Sequence, residues 1–296
     1  MNPVGATRPS WWLLTGPSVV LLLIWMIGPL AGALYFSFVR KNLMNPNLTG
    51  FVWFQNYINL LHDPVFWISI VNTLVLVGSV LVITVVVGIL LALLMSEDFP
   101  GRTLARLLLI SPFFVMPVVA ALVWKNMLMH PVYGIMSWVQ RSLGLPVTDW
   151  FQDFPMTAII IIISWEWIPF AMLVFLTSLQ SMPEEQREAA RLDGAGPLQM
   201  FFRIVLPHLS QAIAAVLMIE CIFFLSIYAE IFTTTSGGPG TATTNLVYVI
   251  YKRGFNEWNF GSASAGGIYA VILANFVAFF LIRLIARNMK NQETWK

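Results

Sequence analysis

"PEEQREAARLDGAGPLQMFFRIVLP", residues 183–207, places seven charged side chains (Glu184, Glu185, Arg187, Glu188, Arg191, Asp193 and Arg203) in a chain of which only 10% is charged. Long apolar runs flank it on both sides, so it is a polar interruption between two hydrophobic segments. Ser181 followed three residues later by Glu184 fits a capping box, and Pro183 suits a first helical turn, where a missing N–H costs nothing. The spacing predicts a short helix from about Met182 to Leu192, closed by Gly194 in the left-handed conformation. Gly196-Pro197 breaks the path before a second amphipathic turn, Leu198 to Phe202, and Pro207 opens the next apolar run. The expected product is a bent helix pair outside the apolar phase. Ala189 and Ala190 permit close approach there, and Glu185, Glu188 and Asp193 offer carboxylates, which suits docking into a groove on another protein. A solvated loop laced by pairs at helical spacing accounts for the same charges.

The rest of the sequence says what is being interrupted. The 296 residues are 58% hydrophobic with a mean hydropathy of +0.78, and include 22 Phe and 12 Trp. Soluble globular chains are about 45–50% apolar and about 25% charged, so this is the composition of a membrane protein. A net charge of +2 and the lack of a basic block argue against a nucleic-acid partner. Cys221 is the single cysteine, and its apolar surroundings make it a packing residue.

A spanning helix needs about 20 mostly apolar residues. Six segments qualify: about 12–36, 67–95, 104–127, 157–179, 207–231 and 266–286, with the polar loop 181–206 between the fourth and fifth. The fold class is therefore an all-α membrane protein, a single transmembrane domain over 1–296, with an elbow between spans four and five. The first segment is too long for a signal-peptide core and reads as a retained span. With the N-terminus inside, ten Lys and Arg are cytoplasmic (Arg8, Arg102, Arg106, Arg187, Arg191, Arg203, Arg283, Arg287, Lys290, Lys296). Six (Arg40, Lys41, Lys125, Arg141, Lys252, Arg253) lie outside. That bias predicts both termini and the elbow in the cytoplasm.

The fixed spacing Glu188-Ala189-Ala190, three residues, Gly194, nine residues, Ile204, one residue, Leu206-Pro207 resembles the EAA signature of binding-protein-dependent ABC importer permeases at every fixed position. The resemblance implies that Glu188, Ala189, Ala190, Asp193, Gly194, Ile204, Leu206 and Pro207 couple the chain to a separate ATP-hydrolysing subunit, in whose cleft the elbow sits. Asp193 with Gly194-Ala195 is similar to the version in carbohydrate importers. "TTTSGGPGTATTNLVYVIY" (233–251) resembles the external loop of maltose-type permeases, with Gly237, Gly238 and Pro239 at its turn. "SPFFVMPVVAALVWKNM" (111–127) and "SASAGGIYAVILAN" (262–275) look most like permeases for sugar alcohols such as mannitol and sorbitol. The resemblance further implies half of a heterodimeric pathway in the bacterial cytoplasmic (inner) membrane. Its implied partners are a second permease subunit, two copies of the ATP-binding subunit and an extracytoplasmic solute-binding protein.

The chain has no Gly-x-x-x-x-Gly-Lys-Ser/Thr loop and no Gly-Lys pair. An ATP-driven role therefore places ATP on the partner subunit, and no enzymatic activity or cofactor is expected of this chain. His62, His130 and His208 are isolated in sequence, so no metal site is expected.

Two carboxylates fall within the apolar runs, Glu166 in "SWEWIPF" and Glu220 in "LMIECIFF", where other members of the resembled family usually carry non-acidic residues. Ionisable groups inside a membrane are costly and usually face a cavity or a partner. With Trp165, Trp167, Phe224 and Tyr228 they make candidates for lining a path for a polyhydroxylated solute, whose hydroxyls need acceptors and whose C–H faces suit aromatic rings. They serve equally as interhelical hydrogen-bond links. Glu230 is expected in water near the outer end of span five. Two other functions fit the same residues: a proton-coupled secondary transporter using Glu166 or Glu220, and an importer of the same build for a non-carbohydrate solute.

Overall fold

The computed structural model describes residues 11–293. Arg8 and Lys296, and the side chains of Trp11, Trp12, Arg187, Arg191, Arg287 and Lys290, lie outside the described residues. In chain order the elements are α1 (Trp11–Ser37), β1 (Val39–Arg40), β2 (Gly50–Phe51), α2 (Gln55–Leu61), α3 (Pro64–Ser96), α4 (Arg102–Ile110), α5 (Pro117–Val123), α6 (Ile135–Ser142), α7 (Trp150–Asp153) and α8 (Pro155–Gln180). After these come α9 (Glu184–Leu192), α10 (Pro197–Met200), α11 (Leu206–Phe224), α12 (Ala229–Thr234), α13 (Leu246–Tyr251) and α14 (Phe260–Glu293). Hydrocarbon offers no partner to a backbone N–H or C=O, so apolar segments of this length satisfy themselves as helices. Among the described residues, five helices are long and apolar enough to cross a membrane, and a bent pair raises the number to six.

That bent pair is the expected third span. Its halves, Arg102–Phe114 and Pro117–Leu128, meet at 107° rather than forming the continuous rod expected over 104–127. Val115 and Met116 between them are extended. The ring of Pro117 disfavours helical geometry in the residue before it, and the same proline is well placed as the first residue of α5.

The fifth span differs in its entry. Pro207 is its expected start, yet one helical run extends from Pro197 through Phe224. A π turn over Phe201–Val205, in which Leu206 N–H reaches back five residues to the Phe201 carbonyl, carries the helix up to the proline. The second arm of the elbow is thus the start of the span itself, not a separate turn.

The chain divides into two compact units, one within residues 1–63 and 250–269, the other within 64–249 and 270–296. In the first, β1 and β2 pair antiparallel, with Val39 opposite Phe51 and Arg40 opposite Gly50. Asn56 is buried and donates from Nδ2 to the carbonyls of Ser37 (2.8 Å) and Val39 (3.0 Å), supplying partners for backbone where the short sheet begins. Gly261 packs against the same place, where an added Cβ would lie 2.3 Å from the Val39 carbonyl oxygen. Arg253 pairs with both Asp63 and Glu257.

In the second unit α8 touches more of its neighbours than any other helix, and its longest contact is with α3. A continuous core joins Ile89, Ala92 and Met95 of α3 to Met172, Phe175, Leu176 and Leu179 of α8 and to Leu209 and Val216 of α11. The approach is set by Gly88. A Cβ there would stand 2.8 Å from Ala171 Cβ and 3.2 Å from the Met172 backbone nitrogen. Small residues at a crossing let two spans meet closely when no hydrophobic drive separates lipid from protein. At the end of α3, Arg106 Nη2 donates to the Met95 carbonyl at 3.0 Å and satisfies an unpaired helix-terminal acceptor.

Gly88→Leu is expected to force α3 and α8 apart at a cost of roughly 1–3 kcal/mol. Gly78→Leu, on the same helix but with nothing within 4 Å of its added Cβ, is expected to have little effect. Thermal unfolding of the two variants in detergent, followed by size-exclusion chromatography, separates them. Equal loss in both removes the crossing argument.

Candidate functional site

The elbow forms by local chemistry. α8 ends at Gln180, Met182 is buried against the core that also holds Leu179 and Val205, and α9 runs from Glu184 to Leu192. Gly194 has φ +81° and the Ala195 N–H returns to the Ala190 carbonyl at 3.0 Å, the six-to-one closure of a glycine-terminated helix. Ser181 does not cap α9 as expected. Its hydroxyl donates instead to the Ser178 carbonyl at 2.7 Å, because Ser181 sits at the C-terminal end of α8, where free acceptors outnumber donors.

The motif residues fall into two groups. Glu188, Ala189, Asp193, Gly194 and Pro207 are exposed and Ala190 is half-buried, while Ile204 and Leu206 pack on the α3/α8/α11 core. One group faces outward and the other roots the elbow. His208 reinforces the root through a 2.8 Å hydrogen bond between its Nε2 and the Ser178 carbonyl. Three large apolar side chains, not singled out by sequence reasoning, stand free on this surface: Leu192 is 88% exposed, Leu198 75% and Phe202 60%. Amphipathic spacing around Gly194 is the only signal that marks them, and it reads as well for a surface packed on its own chain.

The intramembrane carboxylates do not share one site. Glu220, fully buried, faces α3, where Thr84 Oγ1 donates to its Oε2 at 2.6 Å; its Oε1 has no partner among the described residues. Glu166, also buried, has no hydrogen-bond partner on either carboxyl oxygen among the described residues, and the Glu230 side chain lies close enough to interact with it. Glu230 is therefore not the solvated residue expected from its distance along the chain; it is buried. The α-helix of span five stops at Phe224, and after the break α12 turns Glu230 back toward α8. Lys125 closes the other end of α12, donating to the carbonyls of Thr233 (3.3 Å) and Thr234 (2.6 Å).

The aromatic candidates likewise separate. Trp167 joins Phe113, Phe170, Phe223 and Phe224 in one cluster, with the Trp167 and Phe224 ring centroids 5.3 Å apart. Trp165 meets Trp124 on another side of α8, and Tyr228 stacks between Phe232 and Tyr248. Residues two apart on a helix point in different directions, which is why Trp165 and Trp167 part company.

The glycine-rich loop is folded in, not loose. Gly237 has φ +83°, and an added Cβ would lie 2.6 Å from Thr244 Oγ1. Thr244 Oγ1 donates to the Gly237 carbonyl (2.9 Å), and Thr243 Oγ1 to the Gly238 carbonyl (3.0 Å), beside Pro239. Asn72 of α3 donates to the carbonyls of Thr241 and Thr244, and the Leu246 N–H donates to Thr73 Oγ1. Thr243, Thr244 and Asn245 are buried. Two adjacent α3 side chains thus fix the loop, a partnership that no local pattern announces.

Residues 51–291 match the family described as "binding-protein-dependent transport system inner membrane component". The sn-glycerol-3-phosphate transport system permease protein UgpA of Yersinia enterocolitica is 31% identical over 302 residues, covering 98% of this chain and 100% of that protein. Among solved structures, a bacterial ABC transporter involved in the import of the acidic polysaccharide alginate superposes with a TM-score of 0.79 at 26% identity, over 93% of this chain and 96% of the other. The alginate transporter in complex with an alginate pentasaccharide-bound periplasmic protein gives 0.77 at 26% identity, over 93% and 94%.

Thr84→Val is expected to strand both oxygens of Glu220 and to cost about 1–3 kcal/mol, while the double variant Thr84→Val/Glu220→Leu regains most of that loss. Unfolding midpoints of the single and double variants in detergent decide the matter. A double variant as unstable as Thr84→Val alone contradicts the pairing.

Proposed function

The chain belongs to the family of binding-protein-dependent transport system inner membrane components, and from that membership we propose that it forms half of the translocation pathway of an ATP-driven importer for a neutral sugar or sugar alcohol. The observation that carries the coupling half of this proposal is the elbow. Leu192, Leu198 and Phe202 offer apolar area and Glu188 and Asp193 offer carboxylates, on a surface rooted in the core by Ile204 and Leu206. An exposed apolar patch rimmed by charge is the signature of a protein contact. The occupant is an ATP-hydrolysing subunit, present in two copies, one on this chain and one on a second permease subunit. Positive charge along the chain favours the elbow, and both termini, in the cytoplasm.

The solute class rests on what the spans carry. α1, α3, α8 and α11 contain two carboxyl groups, Glu166 and Glu220, and no Lys or Arg; the bent third span carries Arg102, Arg106 and Lys125 and the sixth ends at Arg283, with Lys125 committed to the Thr233 and Thr234 carbonyls. The relatives' solutes, sn-glycerol-3-phosphate and an acidic polysaccharide, are anions, and an anion in a low-dielectric passage calls for counter-charge. Walls with carboxyls and the aromatic surface of Trp167, Phe223 and Phe224 suit a neutral polyhydroxylated solute, whose hydroxyls both donate and accept. The likeness of 111–127 and 262–275 to mannitol and sorbitol permeases points the same way. In this role Glu166 and Glu220 act as hydrogen-bonding groups on the path once the spans move apart, and the Gly237–Pro239 loop lies beside the docking site of an extracytoplasmic binding protein.

The test is reconstitution of the chain with its partner permease and ATPase in proteoliposomes, supplied with the binding protein. ATP-dependent uptake of labelled mannitol or sorbitol, unaffected by collapsing the proton gradient, is the expected result. Uptake that tracks the proton gradient without ATP supports a proton-coupled carrier instead, and preference for an organic phosphate overturns the solute class.

The elbow itself is tested at Gly194. Nothing lies within 4 Å of a Cβ added there, so the penalty of substitution is conformational and not steric crowding. Gly194→Asn, which tolerates the left-handed conformation, is expected to retain most uptake. Gly194→Val is expected to insert normally and to hydrolyse ATP without transport. Wild-type uptake by the valine variant defeats the coupling assignment.

A further inference from the structure

A cavity of about 330 Å³ lies between α3, α11, the start of α13 and α14. Its hollow comes from Ala270, Ala274 and Ala278, small residues recurring every fourth position and so lining one face of α14. Opposite them stand Cys221 and Ile222 of α11.

Two hydroxyls reach the wall, and both are already committed. Thr73 Oγ1 donates to the Ser69 carbonyl at 2.7 Å and accepts from the Leu246 N–H at 2.9 Å. Ser226 Oγ donates to the Ile222 carbonyl at 3.3 Å. A polar occupant would lose its water without gaining partners, so a sugar does not belong here. The cavity's rim is continuous with the outer surface of the spans: Met218, Ile222 and Val271 line it and are also exposed, on helices whose apolar faces meet hydrocarbon.

Size selects among apolar occupants. A helix about 10–12 Å across does not enter a space of 330 Å³. An apolar hollow of about 150 Å³ takes up benzene, and small-molecule sites begin near 300 Å³. A single string of methylenes fits both the volume and the chemistry. We propose that this cavity is a binding site for one acyl chain of a membrane lipid, seated between α11 and α14 against α3. The inference rests on the spans lying in a bilayer and is independent of what the chain transports.

The test uses the full chain, co-expressed with its permease and ATPase partners and reconstituted in phosphatidylethanolamine vesicles doped with a phosphatidylcholine that carries a diazirine in one acyl chain. After irradiation, the sites of attachment are read by mass spectrometry. Labelling is expected to concentrate on 218–226 and 270–281, several-fold above that at the exposed α3 residues Val82 and Val86. Ala274→Trp, which fills the hollow, is expected to reduce it to the level of those controls. Ala278→Phe fills the same space and replaces it if the tryptophan variant does not fold, as judged by size-exclusion chromatography. Uniform labelling of all exposed apolar residues, or labelling indifferent to a folded cavity-filling variant, overturns the proposal. So does formation of a crosslink from Cys221 to the neighbouring permease subunit in place of lipid.

Discussion

The close crossing of α3 and α8 at Gly88 and Ala171 is the constraint on which the larger unit depends. Between spans in a bilayer, exchanging lipid contacts for protein contacts gains little from the hydrophobic effect, so shape and a few polar links must hold helices together. Gly88 supplies the shape, and Thr84, one turn away on α3, supplies a link to Glu220 of α11. α8 then serves as the common wall. It packs on α3, on α11, on the bent third span and on α12, and its last turns anchor the elbow through Leu176 and Leu179, with Met182 buried just beyond them.

This arrangement ties together features far apart in sequence. Glu166 on α8 meets Glu230 on α12, and α12 is held at its other end by Lys125 from the third span. The glycine-rich loop is joined to α3 by Asn72 and Thr73. A series of segments that look independent along the chain behaves as a few helices with their connecting turns fastened to them.

Much of this is legible in the sequence because it is local. Apolar length predicts the helices, and the chemistry of Gly194 predicts a left-handed closure after α9, since both depend only on neighbouring residues. The departures have equally definite causes. Ser181 obeys the capping pattern, but the acceptors of α8 are nearer than the donors of α9. Pro207 has the look of a helix start, and a π turn lets the helix run through it. Pro117 is visible in the sequence, whereas the 107° at which the two halves of the third span meet is not written in any local pattern. Glu230 lies elsewhere than expected because distance along a chain predicts depth only while the helix continues. Of the candidate path residues, sequence reasoning identifies types suited to the chemistry, and only the tertiary structure assigns each a direction.

The unbroken run from Pro197 to Phe224 has a geometric corollary. Twenty-eight helical residues rising 1.5 Å each make a rod of about 42 Å. Pivoting such a rod by about 10° at its elbow end sweeps the other end through about 7 Å, comparable to the width of a monosaccharide ring. Because the elbow's second arm and the span are one helical run, a tilt imposed at the elbow would be read at the end that carries Glu220 and Phe224.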